Sequence, residues 1–282
     1  MEFASQKNKY LRILRKLIKK YDKPTPLLIV TGMSGSGTTL VGGYIYQNYE
    51  VKGICPEVPN IVSSKNLIYF PKVATYTNLS EYLKSVENYQ KKEDFFDVLQ
   101  ETSKEFLEFN SSGKYLLYKN AVLPMYSSVQ FINNLPNSNM IVVFRNPLSS
   151  IEGLIRKWSL FKRSNLKDLC NFWANSYENV LKDSKKNKIN YFFVEYENFL
   201  TDHCKISEII ANKIIIKKRE KKKKISDSTQ KRGKGIRGVF NGLINLDQSK
   251  TNHSNLFNSS DKSKIERITK ATFLKLKKRS LC

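Results

Sequence analysis

The sequence has few of the residues that bind transition metals or form disulfides. It contains only two histidines and four cysteines among 282 residues. The cysteines, Cys55, Cys170, Cys204 and Cys282, form no C-x-x-C pair. Together with two histidines they offer no zinc-ligand cluster. We therefore expect free thiols in a reducing compartment.

Long hydrophobic runs are also missing. The apolar runs, such as residues 27–30 and 140–144, are far shorter than the ~20 residues that cross a bilayer. Residues 1–20 have no apolar signal-peptide region. With 40% hydrophobic and 12% aromatic residues, the chain can still bury a sizeable core. We expect a cytoplasmic, soluble protein with a single domain spanning residues 1–282.

Acidic residues are scarce: 25 Asp and Glu stand against 49 Lys and Arg, giving a formal net charge of +24. Such a charge favours polyanionic partners, namely nucleic acid, anionic lipid, an acidic glycan or a nucleotide cofactor. The alternative is composition bias, because Lys, Asn and Ile are abundant together, as in proteins from AT-rich genomes.

Two basic segments have different predicted structures. Residues 217–224, "KKREKKKK", repel one another, and we expect a flexible, solvated basic segment over residues 217–237. Residues 11–20, "LRILRKLIKK", have the pattern of a basic amphipathic helix. That helix could lie on a membrane or pack on its own domain.

Short apolar runs alternate with longer helical patterns, which is typical of βαβ units. We predict a three-layer α/β fold with a central, mainly parallel sheet. The predicted strands are residues 27–31, 115–119, 140–144 and 191–196. The predicted helices are residues 38–47, 124–134, 148–162, 166–185 and 262–278. A polar helical stretch over residues 78–110 is expected to cover an acceptor site, and residues 226–258 show no clear periodicity.

The first predicted strand leads into "GMSGSGTTL", residues 32–40, which resembles a phosphate-binding loop without its lysine. Gly32 and Gly37 have the spacing of G-x-x-x-x-G-K-[ST], but Thr38 occupies the lysine position. Backbone N–H groups at a helix N-terminus still bind anions there. The missing lysine argues against ATP or GTP phosphoryl transfer. A later strand ends in "FRNP", which places Arg145 where such enzymes have an acidic residue and indicates a second anion.

Three motifs in this order resemble the PAPS-dependent sulfotransferases, where PAPS is 3′-phosphoadenosine 5′-phosphosulfate. They are "GMSGSGTTL" (residues 32–40), "VVFRNP" (residues 142–147) and "VEYENFLTD" (residues 194–202). "KRGKG" (residues 231–235) is a weaker match to a fourth motif. The resemblance covers roughly residues 27 to 202, and it implies a P-loop-like phosphosulfate-binding loop.

The resemblance also implies roles for individual residues. The loop positions Gly35, Ser36, Gly37, Thr38 and Thr39 would hold the 5′-phosphosulfate. Arg145 would bind the 3′-phosphate, Tyr196 would contact the adenine, and Lys231, Arg232 and Gly233 would close over the 3′-phosphate.

Two positions depart from the family pattern. Gly35 replaces a basic residue, and Gly153 replaces a serine that contacts phosphate. Ser149 or Ser150 could substitute for that serine. Alternatively, Ser149 and Glu152 form a capping box that starts a helix.

The resemblance further implies sulfuryl transfer to a hydroxyl of a carbohydrate or small metabolite, without a metal. Glu57 is the candidate general base, and Lys119 is the candidate source of positive charge on the sulfuryl group. We expect no specific nucleic-acid partner, and peripheral membrane contact through the basic surface is open. The alternatives are a catalytically degenerate sulfotransferase-like binding protein and a P-loop nucleotide kinase.

Overall fold

A five-stranded parallel sheet forms the centre of the structure, a computed structural model. The described residues are 26–55, 78–90, 115–120, 138–186, 189–222, 239–240, 243–244 and 256–281. The sheet contains β1 (Leu27–Thr31), β2 (Lys52–Cys55), β3 (Leu116–Asn120), β4 (Asn139–Phe144) and β5 (Asn190–Glu195). Their spatial order is β2-β3-β1-β4-β5, and every pairing is parallel. The predicted α/β fold with a P-loop-like loop is therefore confirmed.

Helices cover both faces of this sheet. They are α1 (Thr38–Asn48), α2 (Leu79–Gln90), α3 (Pro147–Lys157), α4 (Ser159–Lys162), α5 (Leu166–Lys186), α6 (Tyr196–Lys213) and α7 (Ser259–Arg279). A separate two-stranded antiparallel pair consists of β6 (Val239–Phe240) and β7 (Leu243–Ile244). No described helix combines the length and apolar character that crossing a membrane requires.

The two faces of the sheet support two separate cores, because successive strand residues point to opposite sides. Ile29 and Met140 pack with α3, α5 and α7 on one side. Leu28 and Ile141 pack with α1 and α6 on the other. β4 is buried along its whole length, which explains why its residues 140–144 are a continuous apolar run rather than an alternating one.

Several predicted elements differ from the structure at particular residues. The helix predicted over residues 148–162 is divided by Trp158, whose extended backbone (φ −131°, ψ 125°) ends α3 and begins α4. β2 and α6 were not predicted, and the tyrosine assigned to the end of β5, Tyr196, instead begins α6. The predicted helices over residues 11–20 and 124–134 lie outside the described residues.

The beginning of the basic segment 217–237 contacts the body of the protein. Glu50 N–H donates to the Lys217 carbonyl and Arg219 N–H donates to the Asn48 carbonyl, each at 2.8 Å. The Arg219 guanidinium also donates to the Val51 carbonyl at 2.8 Å. Residues 217–219 are therefore bound beside the end of α1, while residues 223–237 lie outside the described residues.

Candidate functional site

The Gly-rich loop lies at the carboxyl end of β1, where ligands bind in open parallel sheets. Its two internal glycines, Gly35 and Gly37, have φ values of +90° and +95°, which L-residues rarely adopt. Gly32 is restricted by space instead, because a Cβ there would lie 2.3 Å from the Val143 carbonyl oxygen. The loop is closed by a 2.9 Å hydrogen bond from Ser36 N–H to the Met33 carbonyl.

The loop delivers the N-terminus of α1 without a side-chain cap. Gly37 is the N-cap residue, and no acidic residue lies in the first turn. The first N–H groups of a helix have no intrahelical acceptor, and the helix dipole adds positive potential there. This N-terminus therefore has the donor set that binds phosphate or sulfate.

Hydroxyl groups surround the same helix end. Ser36 and Thr38 are buried, and Thr39 is half-buried. Ser36 Oγ makes no hydrogen bond of regular geometry within the described residues. It lies close enough to Tyr177 to offset a small part of the rise that burial causes in the pKa of Tyr177. A buried hydroxyl without a regular partner is rare in folded proteins, and it fits a loop that accommodates an anionic ligand.

Tyr177 of α5 holds the Gly-rich loop in place. None of the sequence motifs includes this residue. Its hydroxyl accepts a hydrogen bond from Met33 N–H at 3.3 Å and donates to the Val143 carbonyl at 3.0 Å. The side chain is fully buried. Burial raises the pKa of Tyr177 well above its usual range, so the hydroxyl stays protonated and able to donate. The only sequence signal was a tyrosine within the apolar face of α5.

Arg145 follows β4 directly, at the sheet edge next to the loop. Its guanidinium carbon lies 4.8 Å from the centre of the Tyr196 ring, and Nε lies 3.6 Å from Glu197 Oε1. Nε makes no hydrogen bond within the described residues. Tyr196 and Glu197 therefore orient Arg145 before any ligand binds, and the guanidinium keeps donor capacity for an oxyanion.

Tyr196 is itself close to the loop. It is only 8% exposed, and a Cβ on Gly37 would lie 2.1 Å from its Cδ2. The ring therefore packs directly on the Gly37 backbone, and only glycine fits at this position. Gly37 and Arg145 are both in contact with its ring.

Glu197 is a second residue that the motifs gave no role. Its two carboxylate oxygens each lie 3.4 Å from Asn146 N–H, which donates to them. Burial raises the pKa of Glu197 above its ordinary value of 4.5, and Arg145 and the Asn146 N–H oppose this only in part. The candidate site thus contains a carboxyl group that ionises less readily than an exposed glutamate.

The two departures from the family pattern face each other. A Cβ on Gly35 would lie 3.5 Å from Gly153 Cα, and a Cβ on Gly153 would lie 3.5 Å from Gly35 Cα. The tip of the loop therefore packs on the α3 backbone where the family pattern has two polar side chains. Ser150, one turn before Gly153, is fully buried and its Oγ has no described partner.

The interpretation of Ser149 as a helix cap is wrong. Asn146 is the N-cap of α3: its side chain accepts from Leu148 N–H at 2.9 Å, and Pro147 follows at the first helical position. Glu152 does not reach back to a cap but pairs with Arg156, at 2.6 Å. Ser149 therefore lies inside the first turn and is half-buried.

Other predicted site residues are only partly placed. Lys119 lies near the carboxyl end of β3, where its backbone is in register with Val30 of β1; its side chain is outside what the structure describes. Glu57, Lys231, Arg232 and Gly233 lie outside the described residues. Within the described residues the structure brings together the loop, Arg145 and Tyr196, and Ser149 lies in the first turn of the helix that follows Arg145.

Three solved structures are similar to this chain at low sequence identity. The sulfotransferase domain of the Synechococcus PCC 7002 olefin synthase shares 13% identity at a TM-score of 0.44, covering 88% of this chain and 94% of that one. The sulfotransferase domain from the curacin biosynthetic pathway shares 12% identity at a TM-score of 0.44, with 87% and 97% covered. Sulfotransferase STF9 from Mycobacterium avium shares 13% identity at a TM-score of 0.44, with 93% and 80% covered. No protein-family profile and no curated protein matches the sequence.

The contact between the two glycines predicts opposite effects of the same substitution. Gly153→Ala should raise the free energy of unfolding by about 0.5–1 kcal/mol, because alanine is the better helix former and its Cβ would make an ordinary contact. Gly35→Ala should lower it by about 1–2 kcal/mol, because φ is +90° there. Urea unfolding of both variants measures the difference. Similar effects in both would contradict this loop conformation.

The raised pKa of Glu197 predicts how stability depends on pH. Because its pKa is higher in the folded than in the unfolded chain, this group's contribution to stability is complete below pH 4.5 and is lost as pH rises through the folded pKa. Glu197→Gln removes that titration. The stability of wild type minus that of the variant should therefore fall as pH rises from 4.5. Urea unfolding of both proteins across pH checks this, and a difference that rose with pH would show that Arg145 outweighs desolvation.

Proposed function

We propose that this protein is a sulfotransferase that moves a sulfuryl group from PAPS to a hydroxyl of a carbohydrate or another small metabolite. The observation that carries the proposal is the pairing of two anion sites at adjacent strand ends. One is the uncapped N-terminus of α1 after β1, and the other is Arg145 after β4. A ligand with separate 5′ and 3′ anionic groups matches this pair.

In this proposal the loop binds the 5′ end of the cofactor. The N–H groups at the start of α1 and the hydroxyls of Ser36, Thr38 and Thr39 donate to its oxygens. The hydroxyl of Ser36 is suited to this because it is buried without a regular partner. Arg145 binds the 3′-phosphate, and its planar guanidinium allows bidentate contact.

Tyr196 has a supporting role beside the expected adenine contact. Because its ring packs on Gly37 and under Arg145, it fixes the spacing between the two anion sites. Ser149 lies in the first turn of α3, four residues beyond Arg145, and it is a candidate for a phosphate contact in place of the missing serine at Gly153.

When bound, PAPS would supply the sulfuryl group, and 3′-phosphoadenosine 5′-phosphate (PAP) would be the leaving group on which negative charge develops. The chain must remove the acceptor proton and balance the growing charge. We assign the first task to Glu57 and the second to Lys119, whose backbone lies next to the strand that leads into the loop. We also propose that a loop formed by Lys231, Arg232 and Gly233 closes over the 3′-phosphate.

One observation favours a second candidate, a sulfotransferase-like protein that binds the nucleotide without turning it over. The loop tip at Gly35 has no side chain and packs on Gly153, so the basic group that the family pattern has at this position is missing. Titration of the purified chain with PAP, PAPS and ATP–Mg separates the candidates. Micromolar PAP binding without magnesium supports either, turnover of PAPS supports the enzyme alone, and preferential ATP–Mg binding contradicts both.

The 3′-phosphate assignment predicts a selective effect of Arg145→Ala. PAP binding should weaken by about 1.5–3 kcal/mol, the scale of a charge-assisted hydrogen bond. Binding of adenosine 5′-phosphosulfate, which lacks the 3′-phosphate, should change little. Isothermal titration with both ligands measures the contrast.

Arg267→Ala is the matched control, because Arg267 is an exposed arginine on α7. It should leave both affinities unchanged. An equal loss of both ligands in Arg145→Ala, together with a lower melting temperature, would mean that Arg145 supports the fold and not the 3′-phosphate.

The assignment of Glu57 predicts a loss of turnover without a loss of cofactor affinity. Glu57→Gln keeps the shape of the side chain, but it cannot accept the proton, so kcat should fall by ~10²–10⁴. An acceptor is first found by screening hydroxylated sugars and phenols with PAPS, and wild type and variant are then compared at saturating cofactor. Unchanged turnover would remove Glu57 from the mechanism, and lost PAP affinity would give it a structural role.

A further inference from the structure

A cleft with both polar and apolar lining lies between α2 and α5. Its volume is about 700 Å³, within the roughly 300–1,000 Å³ of small-molecule sites. Its apolar lining residues are Leu79, Leu83 and Phe172. Phe172 is held in place by stacking on Phe161, with ring centres 5.9 Å apart and planes inclined by 20°.

The polar part of the lining is rich in asparagine. The asparagines that line it are Asn78, Asn165, Asn171, Asn175 and Asn179. Two of them have structural tasks, because the Asn78 side chain accepts from Glu81 N–H and the Asn165 side chain accepts from Lys167 N–H at the starts of α2 and α5. The other three lie inside α5 and cap nothing.

Asn171, Asn175 and Asn179 form a row along one face of α5. Residues four apart in a helix are separated by about 6 Å along its axis, so the row is about 12 Å long. None of the three side chains bonds to another residue in the part of the chain that the structure describes. Asparagine is also a poor residue for a helix interior, so local helix stability does not explain the row.

The charge of the cleft differs from that of the chain. The described lining contains one cation, Arg163, and one anion, Asp168, while the whole chain has a net charge of +24. A binding site for a polyanion would collect several cations. The lining therefore favours a neutral ligand.

We propose that this cleft binds a neutral oligosaccharide. Each carboxamide offers two donors and one acceptor oxygen, which matches sugar hydroxyls, since these both donate and accept. The apolar lining residues Leu79, Leu83 and Phe172 match the C–H faces of sugar rings. The length of the asparagine row suits a short oligosaccharide rather than a single sugar.

The cleft is separate from the anion site. Tyr177, which holds the Gly-rich loop, is two residues beyond Asn175, so the two side chains leave α5 on nearly opposite sides. The thickness of a helix, about 10 Å, lies between them. The proposal therefore does not rest on the proposed sulfotransferase activity.

Titration of the full chain with maltotriose, cellotriose and chitotriose tests the proposal. At least one should bind, with an affinity that is nearly unchanged between low and high salt, because the contacts are neutral. The triple variant N171A/N175A/N179A should lose at least tenfold in affinity. Its melting temperature should stay the same or rise, because alanine is the better helix former.

N212A is the matched control, since Asn212 is an exposed asparagine on α6, on the other side of the sheet. It should bind the sugar as wild type does. Absence of binding by all three sugars, or equal binding by wild type and the triple variant, would overturn the proposal. So would binding of a neutral Gly-Ser tripeptide in place of the sugars, which would make the cleft a peptide site, or binding of heparin alone, which would make it an anion site.

Discussion

The geometry of the anion site depends on one buried hydroxyl group. Tyr177 accepts from Met33 N–H and donates to the Val143 carbonyl, so it connects the Gly-rich loop, β4 and α5. Without it, two backbone groups would be left in the apolar interior, each at a cost of about 1–3 kcal/mol. The loop has two residues at positive φ and needs such external support to keep one shape.

Besides the hydrogen bond to Tyr177, the loop is held by close packing at three of its glycines. Gly32 packs against the Val143 carbonyl, Gly37 against Tyr196, and Gly35 against Gly153. Each of these contacts places the loop against a different element: β4, α6 and α3. These contacts, together with Tyr196 between Gly37 and Arg145, fix the position of the α1 N-terminus relative to Arg145, and in the proposed function such a preorganised site would lose less entropy on binding.

The sequence predicted those parts of the structure that have a local signal. β1 and β4 are short apolar runs, and α5 has a long amphipathic pattern, so all three were recognisable. β2 was missed because it is a four-residue strand at the edge of the sheet that begins with a lysine. α6 was missed because it begins directly after β5, without a side-chain cap.

The residues of the candidate site also divide into those with a local sequence signal and those without one. Gly32, Gly37 and Arg145 belong to short motifs and could be found from spacing alone. Tyr177 contacts Met33, which lies 144 positions away in the chain, and Glu197 contacts Asn146, which lies 51 positions away. No local sequence pattern contains that information. The cap of α3 was assigned to the wrong residue although "NP" is a typical helix start, because the Ser149–Glu152 spacing was a competing signal.

The net charge of the chain and the charge of the site act on different stages of binding. Forty-nine basic residues raise the rate at which any anion arrives, but they do not distinguish one anion from another. In the proposed function, an incoming oxyanion would compete for the Arg145 guanidinium with a carboxyl group, because Arg145 already lies 3.6 Å from Glu197. Because burial raises the pKa of Glu197, that competitor is more easily neutralised than an exposed glutamate. If Arg145 binds the 3′-phosphate as proposed, discrimination would therefore depend on how well an anion replaces Glu197 as the partner of Arg145, and not on the basic surface that attracts it.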